Sequence, residues 1–389
     1  MRPTVLSALC ATTLLAACSG DNPHIGEPSV SSPVETTVVE PPVMLEIHSG
    51  EPISPERCAA NQAAGTIVYV SGYDFAASAS IIDVLVADAH GYFDDLCLDV
   101  EIRPSFAGDN YTLVAGNDAQ IGSGGSFGEL VDFAGDNSAG YVVLGVEGRT
   151  GIDTLITRKG AIDGLEGLRG TTIGVEGVLT PSVRSMLFEA GLLEGDDFEL
   201  LELEGTDPVA HLQTPEVVGF SGYKNDALFG LDEAGVEYDV YDPANHGIPG
   251  SFGVLYTNAT FLTEYPTAVQ DFMRATMMAL ADAIADPAAA AEACIAKITE
   301  NGNPFYLSPE GETARWSVES QLVTGGVTAA APAGVPQLDL LTAEVAAYAG
   351  LGMFGGTAPA IDAYVSGWSW RSPPTPAQGC STALPRCWT

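Results

Sequence analysis

The apolar positions of the chain fall first into a short β-branched run, Ile67-Val68-Tyr69-Val70, which suits a buried parallel strand. Ser71-Gly72-Tyr73-Asp74 breaks that run with turn chemistry, so the strand ends in a loop. From Ser80 the apolar residues Ile81, Ile82, Leu85, Val86 and Ala89 recur three and four apart, and Gly91 supplies a left-handed stop, which predicts a helix. Leu98, Val100 and Ile102 then alternate with acids as a second strand, closing a βαβ unit. Ligands meet such a unit at the carboxyl end of its first strand, where loop side chains and helix N-termini converge. That loop carries Tyr73, Asp74, Phe75 and Ser78.

The same reading continues downstream. A helical piece is expected over Tyr111 to Asn117, and Ser123-Gly124-Gly125-Ser126-Phe127-Gly128-Glu129-Leu130 reads as a strand end turning into a helix. Its glycines match neither the Walker spacing nor the dinucleotide fingerprint. The helix N–H groups and the hydroxyls of Ser123 and Ser126 either meet a polar ligand group or form a simple capped turn. Strands are expected at Tyr141–Val146 and Asp153–Arg158. A helix follows with Thr180 as N-cap, Pro181 at its first position, Val183, Met186, Leu187 and Ala190 inward, and Gly191 as its stop, which puts Ser182 at its N-terminus. Val217 to Phe220 is an apolar strand leading into Ser221-Gly222-Tyr223-Lys224-Asn225-Asp226, and Val254 to Asn258 is another strand. From Thr263 onward the chain is helical: Val269, Phe272, Met273, Met277, Leu280 and Ile284 make an apolar stripe, Asp286-Pro287 ends one helix and caps the next, and Ser308-Pro309 opens a third. His246 reads as a loop histidine of structural type, and Trp316 suits a cleft cover or a packing role equally.

The ends carry no such periodicity. Arg2, the small apolar segment Val5 to Ala17, and Leu15-Ala16-Ala17-Cys18 fit a lipoprotein signal of residues 1–17 with lipidation at Cys18. Residues 18–57 are rich in Ser, Pro, Thr, Val and Glu and read as a flexible tether, reaching on the order of 35 Å. Cleavage before Cys18 leaves 372 of the 389 residues, more than one core usually supports, so at least two lobes are expected. A hydrophobic content of 46% with 17% charged residues is that of a globular body. Fourteen Lys and Arg against 51 Asp and Glu give a net charge of −37, which repels nucleic acid and anionic headgroups alike. The excess reads as surface solvation, as in proteins of salty habitats, in preference to attraction of a substrate. Cys58 precedes the first strand and Cys97 the second, so neighbouring parallel strands could bring them together; Cys380 with Cys387 is a second expected pair, and Cys294 is left free.

The order of several motifs resembles a known family. Ala87-x-x-x-Gly91-Tyr92-Phe93 followed by Leu98-Asp99-Val100-Glu101, then Gly164-Leu165-Glu166-Gly167-Leu168-Arg169-Gly170-Thr171-Thr172-Ile173-Gly174-Val175, is similar to substrate-binding proteins of ABC importers for thiamine pyrimidine precursors, alkanesulfonates and nitrate. Tyr223 with Asn225 and Asp226, Tyr241-Asp242-Pro243-Ala244-Asn245-His246-Gly247-Ile248-Pro249, and Tyr265-Pro266 ahead of Phe272-Met273-Arg274-Ala275 continue the likeness. Gly116 to Gly122 departs in detail from the family's Gly-x-Ala-Asp-x-Gly element, and the end beyond Val365 lies outside the pattern. The resemblance implies an α/β fold of the type II periplasmic-binding-protein kind: two lobes, each a mostly parallel sheet flanked by helices, joined by two crossover strands. Lobe 1 would comprise 58–155 and 251–370, lobe 2 would comprise 156–250, and 371–389 would be a tail. A small molecule would bind between the lobes of a monomer, which would dock on a permease, with no cofactor, no metal and no catalytic residue.

Enzyme signatures are missing from the sequence: no His-Glu-x-x-His helix, no Gly-x-Ser-x-Gly elbow, no zinc-like cysteine cluster. The cleft-mapped residues Tyr73, Asp74, Phe75, Tyr223, Asn225, Asp226 and Phe252 are aromatic faces and carbonyl or carboxylate acceptors, which suit a flat, nitrogen-rich, neutral or cationic heterocycle. Binding of an alkanesulfonate- or nitrate-type anion, or ligand sensing without a transporter, are the alternatives.

Overall fold

A computed structural model describes residues 53–365. The signal segment, Cys18, most of the tether, and the tail with Cys380 and Cys387 lie outside the described residues. Ten strands build two five-stranded sheets. The first contains β1 (Thr66–Val70), β2 (Asp99–Arg103), β3 (Ile121–Gly124) and β4 (Tyr141–Gly148), then receives β10 (Phe252–Asn258), in the order β2-β1-β3-β10-β4. The second contains β5 (Asp153–Arg158), β6 (Thr171–Val175), β7 (Phe198–Glu202), β8 (Gly219–Tyr223) and β9 (Tyr238–Tyr241), in the order β7-β6-β8-β5-β9. The central pairs β1/β2, β1/β3, β6/β7 and β6/β8 are parallel, while β10 and β5 run antiparallel to their neighbours. The chain therefore leaves the first sheet after β4 and returns to it with β10, which makes the two crossovers of an α/β two-lobed architecture.

Each sheet is covered on both faces, as parallel sheets must be. Along β1, Ile67 and Tyr69 enter one core cluster with the helices Ile82–Ala89 and Pro266–Ala285, while Val68 and Val70 enter another with the helix Phe127–Asn137 and residues of Leu338–Gly350. The period of two along the strand thus divides the lobe into two apolar layers. In the second lobe β5 does the same, Leu155 facing one cluster and Ile156 the other. Gly91 has φ 71 and ends the first βαβ helix region as its sequence position predicts. Asp286 caps Pro287–Asn301 and Ser308 caps Pro309–Thr324 through their side chains. Among the described residues no helix is long and apolar enough to cross a membrane.

Three local differences have identifiable causes. A helix occupies Pro55–Gln62, capped by Ser54, so that the last residues read as tether, 55–57, belong to the folded body; it is held because Arg57, 1% exposed, donates from Nε to Asp271 at 2.7 Å and Asn61 donates to the same carboxylate at 2.7 Å. Cys58 on this helix is disulfide-bonded to Cys97, with Cα atoms 5.3 Å apart. The strand expected to stop at Phe220 runs on to Tyr223, because pairing with β5 continues through Asp153↔Tyr223. Thr180 stands at the N-cap position of Pro181–Glu189, yet its hydroxyl makes no cap and is given to Asp153 instead.

Candidate functional site

The loops after β1, β3, β6 and β8 all leave the carboxyl ends of parallel strands and converge between the sheets, where the Pro309–Thr324 helix of the first lobe reaches them. That helix presents Glu312, Arg315 and Glu319 at spacings of three and four, one polar stripe that is almost wholly buried. Sequence reading missed all three. The available signal was charged residues at positions where a packed helix should be apolar, beside Trp316, which is fully buried and donates its indole N–H to the Ala283 carbonyl at 2.8 Å. Trp316 is thereby a packing residue.

One polar cluster crosses between lobes. Glu319 accepts from the Ala79 N–H at 2.6 Å and from the Ser78 hydroxyl at 2.6 Å within its own lobe, and from the Asn225 side-chain amide of the other lobe. Burial raises its pKa to about 7, opposed by those three donors and by Arg315. Arg315, 1% exposed, gives Nη1 to both oxygens of Glu312 at 2.8 Å and stands 5.7 Å from the centre of the Tyr73 ring. Burial also raises the Asp226 carboxyl, and the Arg315 guanidinium works against that rise. Tyr73 in turn packs against Phe106 and Phe305, with ring centres 6.0 and 5.3 Å away.

A second cluster lies beside the crossovers. Ser126 caps Phe127–Asn137 in a capping box, giving its hydroxyl to Glu129 at 2.8 Å. Asp153 accepts from Thr180 and Ser182. Tyr223 is 43% exposed, and desolvation first, then the negative charges of Glu129, Asp153, Asp226 and Glu176, raise the pKa of its hydroxyl. Glu344 accepts from the Gly128 N–H at 2.9 Å, and burial lifts its pKa to about 7.

Of the residues singled out in the sequence, the structure therefore brings Tyr73, Ser78, Asn225 and Asp226 into the first cluster and Ser126, Ser182 and Tyr223 into the second. It does not bring Phe75, Phe252, Ser123 or Asp74 to a free surface of the cleft. Phe75 and Phe252 are 1% and 4% exposed and belong to the apolar core, Phe252 folding over Gly148 at the crossover. Ser123 shares a hydrogen bond with Ser80 behind β1, and its carbonyl accepts from Asn110. Asp74 holds a turn, with φ 49 and its carboxylate accepting from the Phe75 N–H at 2.7 Å. Ser182 is 2% exposed and its hydroxyl is already committed. Cys294 is a free, buried thiol, and His246 lines a groove of about 190 Å³ with Ser185 and Ala347, residues of the helices Pro181–Glu189 and Leu338–Gly350 that also carry Ser182 and Glu344. Among the described residues no group of three or more His, Cys, Asp or Glu is placed to hold a metal ion.

Two α/β lobes, joined by two crossovers with a polar constellation between them, define the fold class of periplasmic binding proteins. The chain belongs to the NMT1/THI5-like family, whose model matches residues 78–290, more than half of its length. Among solved structures it is similar to the alkanesulfonate-binding protein SsuA from Xanthomonas axonopodis pv. citri bound to MOPS, at 14% identity and a TM-score of 0.54, covering 76% of this chain and 94% of that one. It is similar also to the periplasmic sulfonate-binding protein SsuA of a putative sulfonate ABC transporter from Methylobacillus flagellatus KT, at 15% identity and a TM-score of 0.55, over 77% and 91% of the two chains. The ligand-binding component of an ABC-type import system from Staphylococcus aureus, solved with zinc bound, gives 12% identity and a TM-score of 0.56 over 77% and 96%. At these identities the likeness is one of fold. No curated protein matches the chain.

Proposed function

We propose that this protein is the extracytoplasmic solute-binding component of an ABC importer, tethered through lipidated Cys18, and that it closes its lobes over a small nitrogen-rich heterocycle, neutral or cationic, of the thiamine-pyrimidine-precursor kind. The observation that carries the ligand class is the charge of the interlobe region. Asp226, Glu312 and Glu319 surround Arg315, the one cation of that cluster, and Glu129, Asp153 and Glu344 gather beside Tyr223. An anion entering there would meet desolvated carboxylates, whereas ring N–H and amino groups find acceptors and Tyr73 offers a face. Binding would shift an open–closed equilibrium, with no covalent step.

A second reading, an alkanesulfonate-type ligand, is favoured by one observation: Nε and Nη2 of Arg315 have no partner. A thermal-shift panel of aminopyrimidines, thiamine, riboflavin, alkanesulfonates, taurine and nitrate separates the two. Ligand at a hundred times its dissociation constant adds about 2.7 kcal/mol of stability. A shift with an aminopyrimidine is the expected result, and a shift with sulfonates alone would replace the first reading by the second.

A further inference from the structure

We infer that Arg315 is the specificity-determining residue of the cleft, and that with Asn225 it selects a ligand edge that places a neutral hydrogen-bond acceptor beside an N–H donor. This rests on the interlobe cleft being the binding site. Arg315 is 1% exposed, and its Nη1 is spent on Glu312 while Nε and Nη2 have no acceptor. Asn225, 9% exposed and on the other lobe, spends its amide nitrogen on Glu319 and leaves Oδ1 without a donor. Buried polar groups are paired in native structures, so orphans left on facing lobes describe the partner they lack. Here that partner brings an acceptor to the guanidinium edge and a donor to the amide oxygen.

Charge narrows the acceptor. Glu312 already neutralises Arg315 through two hydrogen bonds, and Asp226 and Glu319 add negative potential around it. A ring nitrogen or carbonyl oxygen meets the free N–H groups without adding charge, whereas a sulfonate brings a further negative charge and places only acceptors opposite Asn225 Oδ1. An alkylamine fails in the other sense, offering only donors to the guanidinium. The pattern fits the edge of a 4-aminopyrimidine, a cytosine or a carboxamide, and Tyr73 under the guanidinium favours the flat members of that class.

The test is calorimetric titration of the full chain with 4-amino-2-methylpyrimidine, 2,4-dimethylpyrimidine and methanesulfonate, for wild type, Arg315→Gln, and the double variant Glu312→Gln/Arg315→Gln, which removes both charges together and protects the fold. Wild type should bind the aminopyrimidine at least about 10-fold more tightly than the dimethyl compound, since one lost hydrogen bond of this kind is worth about that factor. Both variants should lose at least about 10-fold for both pyrimidines, since each keeps the ring nitrogen that meets Arg315, while the preference for the amino compound, which Asn225 reads, is retained. Undiminished aminopyrimidine binding by the double variant overturns the role of Arg315 and leaves the cleft reading intact. Tighter wild-type binding of methanesulfonate overturns the ligand edge, and wild-type binding of none of the three probes removes the cleft reading and the inference with it.

Discussion

Asp83, on the Ile82–Ala89 helix, and Glu147, on β4, are each fully buried, and each carboxyl group bears on the titration of the other. Desolvation raises Asp83 to about 6 and pushes Glu147 well above the usual carboxylate range, with the negative charge of Asp83 and then Glu319 adding to the latter. Two buried carboxyl groups that repel one another when charged cannot both ionise without cost, so the pair holds a proton. A group whose folded pKa is raised contributes stability that is complete below its unfolded value, near 4, and is lost as pH rises through the folded value. The protein should therefore lose about 1 to 3 kcal/mol between pH 5 and pH 8 from this pair, with Glu319 and Glu344, both raised to about 7, acting in the same direction. Urea unfolding at the two pH values checks it. Asp83→Asn, which supplies a permanent donor to Glu147, should flatten the dependence; a slope unchanged by that substitution would show that the pair does not hold the proton. Nothing in the sequence marks this pair, because Asp83 looks like an ordinary first-turn acid and Glu147 like a strand-end charge. Tyr73 was legible because a loop at the carboxyl end of a parallel strand is where ligands meet such a unit, and Asn225 and Asp226 because they match the family's motif after a strand of the second lobe. Phe75 and Phe252 were not, since a loop or crossover aromatic turns inward whenever the core beneath it has room.

The strands β1, β2, β4, β5 and β10 and the helices capped by Asp286 and Ser308 sit where the apolar pattern predicts them. The two edge strands of the second sheet, β7 and β9, were not legible, because an edge strand is only partly buried and carries no continuous apolar run. The Pro309–Thr324 helix shows what periodicity leaves out: its buried face is polar, so its contribution to the cleft is invisible to any search for an apolar stripe. The Pro55–Gln62 helix was missed for a related reason. Eight residues with little apolar content do not form a stable helix alone, and this one depends on two long-range partners: Asp271, which sequence position does not reveal, and Cys97, whose pairing with Cys58 the order of the first two strands does suggest. The disulfide closes a separation of 39 residues, which the chain-entropy model values at about 4 kcal/mol. Cys58→Ser should accordingly lower the stability read from urea unfolding by about 2 to 4 kcal/mol, less whatever the Arg57–Asp271 pair retains. An unaltered midpoint, with the cysteines shown to be oxidised in the parent protein, would mean that the ion pair alone secures the N-terminal helix.

The charge of the whole chain sets its response to salt. Every Lys and Arg among the described residues is already engaged, Arg149 and Arg158 by backbone carbonyls and the others by carboxylates, so the acidic excess is not relieved internally. Self-repulsion of this kind destabilises the compact state and is screened as the Debye length falls from about 30 Å at 0.01 M to about 3 Å at 1 M ionic strength. The melting temperature should rise with NaCl, most steeply below about 0.2 M where the screening length changes fastest. A flat or falling curve would mean that the carboxylates are already compensated in ways the ion pairs do not express. Ligand affinity responds to the same field with a sign that depends on the ligand. A cationic heterocycle is drawn in by the excess negative charge, so added salt should weaken its binding while strengthening the fold; a neutral one should bind with no salt dependence; an anion should bind more tightly as salt is added. Measuring affinity and melting temperature over one salt series therefore reads the charge of the bound species directly, and increasing affinity with salt would turn the assignment from the heterocycle to the sulfonate.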